Sequence, residues 1–138
     1  LQETGVNKVG EDEHGEFIAI VNYCVIALIL FKNQSFSRSD LNLQMADIET
    51  LSLAYEQNVQ WAFETMERKN HDYGEAWRMM RITSLTDLIR MKIERLKQIE
   101  DSDGKLLVSE GVDANYIDML NYAVFALILM GKFEEESL

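Results

Sequence analysis

Eight of the chain's 13 lysines and arginines fall within residues 68–97: Arg68, Lys69, Arg78, Arg81, Arg90, Lys92, Arg95 and Lys97. Four acids lie among them (Asp72, Glu75, Asp87, Glu94), so this stretch is net +4 while the rest of the chain sums to -15. A basic patch on an acidic protein suits a small, multiply charged anion such as a phosphate chain, because the local field and the charged N–H donors both favour it. Pairing between the patch and the acidic remainder is the competing reading.

Helical geometry singles out one of these cations. At about 100° per residue, Leu85, Leu88, Ile89, Leu96 and Ile99 share one arc of a predicted helix, and Lys92 falls in its middle with Arg95 at the edge. A lysine among core positions must snorkel to water, pair with a buried acid, or face a cavity that holds an anion. The last predicted helix supplies a matching feature. Asn115, Asp118, Asn121 and Tyr122 form a polar cluster on a helix otherwise apolar nearly all round, and buried polar groups need partners. Asp118 is the candidate mate or co-ligand for the Lys92/Arg95 edge, with a purely structural buried salt bridge as the alternative.

The elements that must carry these groups are helices. The chain of 138 residues has no proline and seven glycines, with 47% hydrophobic and 27% charged residues, so helix breakers are scarce and the composition is a folding one. Apolar spacing predicts helices over about 15–32, 43–69, 85–100 and 114–130, with Ser84 as the N-cap of the third. Residues 33–40 (NQSFSRSD) read as a linker, and 71–80 as a turn at Gly74 with room for a short helical turn. An offset of 99 pairs residues 1–30 with 100–129 without a gap, and eleven of the 30 positions are identical, including Asn22/Asn121, Tyr23/Tyr122 and the ALIL at 27–30 and 126–129. The expectation is an all-α antiparallel bundle with a partial internal duplication. Residues 1–32 would be the C-terminal part of a first repeat, 33–46 a linker and the start of a long helix, and 47–133 a complete second repeat, in one compact domain. Glu16 and Ala19 replace Asn115 and Asp118 in the first repeat, so the two copies cannot bind alike.

The strings KNHDYGEAWRMMR (69–81), SLTDLIRMKIERLKQIE (84–100), Glu110 and DMLNYAVFALI (118–128) together resemble the nucleotide modification associated domain 1 family (DUF1599), a family similar to the MazG-type all-α nucleoside triphosphate pyrophosphohydrolases. Lys69, Asp72, Tyr73, Gly74, Trp77, Lys92, Arg95, Glu110, Asp118, Asn121 and Tyr122 fit its pattern. The resemblance implies a MazG-like fold and a domain that binds a nucleotide or nucleoside triphosphate. It further implies Mg²⁺- or Mn²⁺-dependent cleavage of the α–β phosphate bond, in nucleotide modification or pool control. On that implication Glu110 and Asp118 would be catalytic, and the metal would be held by Asp72, Asp87, Glu110 and Asp118, hard oxygen donors of the kind Mg²⁺ prefers. Lys69, Arg81, Lys92 and Arg95 would neutralise phosphates, Tyr73 or Trp77 would stack on a base, and Asn121 and Tyr122 would support the site. Asn121 stands where MazG-type enzymes place a second carboxylate.

The net charge of -11 argues against direct binding of nucleic acid or anionic membrane. The run Phe17–Phe31 is shorter than the about 20 apolar residues a spanning helix needs, which favours a buried helix, and with no basic region before an apolar run at the start a cytoplasmic location is the expectation. One cysteine excludes an intramolecular disulfide and a cysteine-based zinc site. A homo-oligomer is expected, because the first repeat lacks a counterpart of residues 55–100 to cover it. The alternative function is a non-catalytic helical interaction or scaffold protein derived from the same fold.

Overall fold

The computed structural model describes residues 6–33, 37–102 and 111–137, with residues 6–11, 38, 44, 72, 73 and 132–137 as backbone alone. Regular structure among the described residues is all helical: α1 (Val6–Lys32), α2 (Arg38–Met45), α3 (Ile48–Tyr73), a 3-10 turn (Ala76–Met79), α4 (Ile82–Asp101) and α5 (Val112–Ser137).

The core is organised around α5, which packs against α1, α3, α4 and the 3-10 turn. Ile117, Met119, Leu120, Ala123, Phe125, Ala126 and Leu129 are buried on several sides of this helix. In α1, by contrast, the buried residues Phe17, Cys24, Val25, Leu28 and Ile29 recur at three- and four-residue steps and occupy one side. Fully buried Leu28 and Leu85 contribute about 1.5–3 kcal/mol each from apolar surface removed from water. Among the described residues the repeated sequence falls in α1 over 6–30 and in α5 over 112–129, and these two helices pack against one another.

Two local expectations are corrected. Residues 33–46 are not a linker running into one long helix. Ser37 caps a separate helix, its hydroxyl accepting the Asp40 N–H at 3.1 Å. The chain breaks at Asp47, whose extended backbone starts α3 and whose carboxylate accepts the Thr50 hydroxyl at 2.8 Å. Ser84 is no N-cap either: α4 begins earlier, at Ile82, after Arg81 in extended conformation. Ile82 packs against the core, and burying it draws the first turn forward.

At the other end of α3, Gly74 adopts the left-handed conformation (φ 62°) and its N–H returns to Asn70 O at 2.9 Å. Glu75 follows at φ 57°, a conformation rare for a residue with a side chain, and reverses the chain into the 3-10 turn. Two segments, Asp12–Lys32 (mean hydropathy 1.9) and Val112–Gly131 (1.3), are long and apolar enough by composition to cross a membrane, so α1 exceeds the length read from Phe17–Phe31 alone. More than half of the second segment lies inside the fold, as a core helix does.

Candidate functional site

Asp118 stands on the inner face of α5 with 5% of its surface exposed. Two cations converge on it from two helices. Lys69, in the last turns of α3, donates to Oδ1 at 2.6 Å, and Lys92, midway along α4, lies 3.0 Å from Oδ2. The Lys92 side chain is largely buried, whereas that of Lys69 is half exposed. The core position of Lys92 on its arc is therefore resolved by an ion pair within a pocket wall. Lys69 reaches the same carboxylate because Ala62, Met66 and Lys69 follow one another at helical spacing on the core side of α3.

The three charged groups line one side of a pocket of about 420 Å³. Asn70, Asn121 and Tyr122 add polar atoms, and Met66, Ala76, Trp77, Met80, Leu88 and Phe125 make an apolar wall. Asn121 is fixed by its own hydrogen bond, donating from Nδ2 to Ala62 O at 3.0 Å. Trp77 and Phe125 are stacked face to face, with ring centroids 4.3 Å apart and planes 5° apart. The Arg78 guanidinium lies over the same indole at 4.6 Å. Arg78 also donates from Nε to Glu75 Oε2 at 2.7 Å, and that hydrogen bond holds the Glu75 carboxyl below its ordinary range.

The remaining sequence candidates divide clearly. Lys69, Lys92, Asp118, Asn121, Tyr122 and Trp77 are brought together at the pocket. Trp77 is not placed to stack on a base, because its ring is buried and its π-face is already engaged by Phe125. Arg95 does not join Lys92. It lies just beyond the edge of the arc, on the exposed side of α4 beside Arg90, Met91, Glu94 and Gln98. Arg81, exposed in the N-cap position of α4, and Asp87, exposed on the same helix, do not line the pocket. The side chains of Asp72 and Tyr73 and the whole of Glu110 lie outside the described residues. Sequence reasoning missed the Phe125 partner of Trp77 and the contributions of Asn70 and Met66. The only signal for them was their helical register beside residues already singled out.

The described donors do not fit a magnesium ion. Mg²⁺ is usually held by one or two carboxylates with retained waters. Here both oxygens of Asp118 face ammonium groups, Asp87 lies away from the pocket, and no three His, Cys, Asp or Glu side chains cluster among the described residues. What the arrangement can do is present two ammonium groups, bridged by one carboxylate, beside an apolar wall.

No curated protein and no solved structure matches the chain. A family model described as nucleotide modification associated domain 1 matches residues 1–31 and 69–130, which take in both copies of the sequence repeat together with Lys69, Lys92 and Asp118. The chain belongs to the nucleotide modification associated domain 1 family.

Proposed function

We propose that the domain binds a nucleotide or nucleoside triphosphate in the pocket between α3, α4 and α5. The observation that carries this reading is the convergence of Lys69 and Lys92 on a single carboxylate beside an apolar wall. Half-exposed Lys69 keeps N–H donors beyond the one that Asp118 takes, and such a group attracts an anion. A simple inorganic anion would leave the apolar wall facing water. A ligand with a flat, largely apolar body and a phosphate tail covers both parts, and the name of the family agrees with that class. In this reading Lys69 and Lys92 neutralise phosphate oxygens, Asp118 holds the two lysines together at fixed positions, and the base lies against Met66, Met80 and Leu88. The resemblance to MazG-type enzymes extends the reading to pyrophosphohydrolysis, in which a bound Mg²⁺ supplies charge neutralisation. The described donors do not fit that ion.

A thermal-shift panel of nucleosides, nucleotides and nucleoside triphosphates, each with and without Mg²⁺ or Mn²⁺, tests the proposal. Ligand that binds only the folded state raises the melting temperature. The expected result is a rise of several degrees for triphosphates and none for nucleosides. A panel in which no nucleotide moves the melting temperature under either condition overturns the reading.

One observation favours the second reading, a helical interaction module. Tyr23, Ile26 and Leu30 of α1 are 70%, 49% and 50% exposed and lie on one face. An apolar stripe of this kind suits a second copy of the chain, making a homo-oligomer. Sedimentation of the protein and of a Tyr23→Lys/Ile26→Lys variant separates the outcomes: a wild-type dimer that the variant converts to monomer supports this reading, and a wild-type monomer at high concentration refutes it.

A further inference from the structure

Asp118 is the carboxylate that the family resemblance offers as a metal ligand, and its surroundings assign it another task. Each of its oxygens is met by an ammonium nitrogen, Oδ1 by Lys69 at 2.6 Å and Oδ2 by Lys92 at 3.0 Å. A magnesium ion bound to either oxygen of this buried carboxylate would sit within a few ångströms of two like charges. That repulsion is strongest where the dielectric is low. An ammonium group carries three N–H donors, and the bond from Lys69 to Asp118 uses one of them. Lys69 is also the half-exposed member of the trio, standing where an incoming anion first meets the pocket.

We infer that Asp118 is a positioning residue, the counter-ion that fixes Lys69 and Lys92 as a paired-ammonium clamp. The clamp takes a phosphate group directly, without a bridging divalent cation. The inference rests on the proposed nucleotide reading and deepens it: the ligand is recognised as the metal-free anion. Asp118 keeps Lys92 in place at the back of the pocket, and Lys69 supplies donors at the mouth. Asp118 keeps the two side chains from splaying apart by mutual repulsion when the pocket is empty. Magnesium added to the solution then competes, because it neutralises part of the ligand's charge before the ligand reaches the clamp.

The test is calorimetric titration of the whole protein with a nucleoside triphosphate and with inorganic pyrophosphate, in EDTA and in excess Mg²⁺ at matched ionic strength. The expected result is saturable binding in EDTA, equal to or tighter than in Mg²⁺. Lys69→Met, which leaves Asp118 paired with Lys92 and so preserves the fold, should weaken binding in EDTA at least about tenfold, or 1.4 kcal/mol. Mn²⁺ affinity followed by electron paramagnetic resonance should be the same for the wild type and Asp118→Asn. If that variant does not fold, the EDTA titrations of the wild type and Lys69→Met decide alone. Binding that appears only with Mg²⁺, or a Mn²⁺ site lost in a folded Asp118→Asn, overturns the metal-free clamp and leaves the nucleotide reading standing. Absence of binding in both conditions overturns both.

Discussion

Helices α1 and α5 carry one repeated sequence in two environments. Ile18, Asn22, Tyr23, Ile26 and Leu30 of α1 are exposed by 42–70% or lie at the surface, whereas their counterparts Ile117, Asn121, Phe125 and Leu129 are buried. Tyr122, the counterpart of Tyr23, is partly buried and lines the pocket. On α1 the corresponding face meets α3 only at Asn22, through Tyr55, among the hydrogen bonds of the described residues, and Tyr23, Ile26 and Leu30 stay exposed. A sequence motif therefore does not make the site. Asp118 matters because Lys69 and Lys92 reach it, and the α1 position corresponding to Asp118 holds Ala19, where such a charge pair is absent.

The comparison can be broken most forcefully at that position. Asp118→Asn leaves a largely buried lysine without its counter-charge and should cost about 3–5 kcal/mol of unfolding free energy, whereas Ala19→Asp should cost less than about 1 kcal/mol. Chemical denaturation of the two variants measures both. Similar losses would mean that the two faces are alike. Next in size, Leu129→Ala removes a buried side chain and should cost about 2–5 kcal/mol, while Leu30→Ala, at 50% exposure, should cost under about 1 kcal/mol. Equal effects would show that the α1 stripe is covered in solution.

A smaller difference separates Cys24 from its counterpart Ala123. Burial pushes the Cys24 thiol up from its ordinary value of 9.0 to about 12. The unfolded chain releases this proton near pH 9 and the folded chain only near 12, so the unfolded state is the one favoured by base. Stability from this residue is intact below pH 9 and falls as pH rises toward 12, by up to about 1.4 kcal/mol per unit. Denaturation midpoints between pH 8 and 11 should carry this slope in the wild type and lose it in Cys24→Ala. The least effect is at the seam between the two regions. Tyr55 of α3 donates its hydroxyl to Asn22 Oδ1 of α1 at 2.7 Å, and Tyr55→Phe should cost about 0.5–1.5 kcal/mol by equilibrium unfolding. No change would place that hydrogen bond in full competition with water.

The sequence made the helices legible because apolar residues recur at three and four without prolines to interrupt them. It hid the break between α2 and α3, since the Asp47–Thr50 side-chain hydrogen bond that marks it looks like ordinary helix surface in a polar stretch. Within the site, Lys92 and Asp118 were readable because a charge on an apolar arc must find a partner. The Lys69–Asp118 bond joins residues 49 apart in sequence, and no periodicity reports such a contact. Arg95 was misplaced for a geometric reason: sitting at the edge of an arc does not say to which side a long side chain turns. Trp77 was ambiguous until Phe125 was seen to take its face.

The account stands on Lys69 and Lys92 acting together on one phosphate group. Side-chain ammonium NMR of ¹⁵N-lysine-labelled protein, titrated with a nucleoside triphosphate, observes both nitrogens directly. The account predicts that the Lys69 and Lys92 resonances move together along one saturable curve, while Lys97 on the outer side of α4 stays unchanged. Saturable binding that leaves both resonances in place, or that moves only exposed lysines, would contradict it.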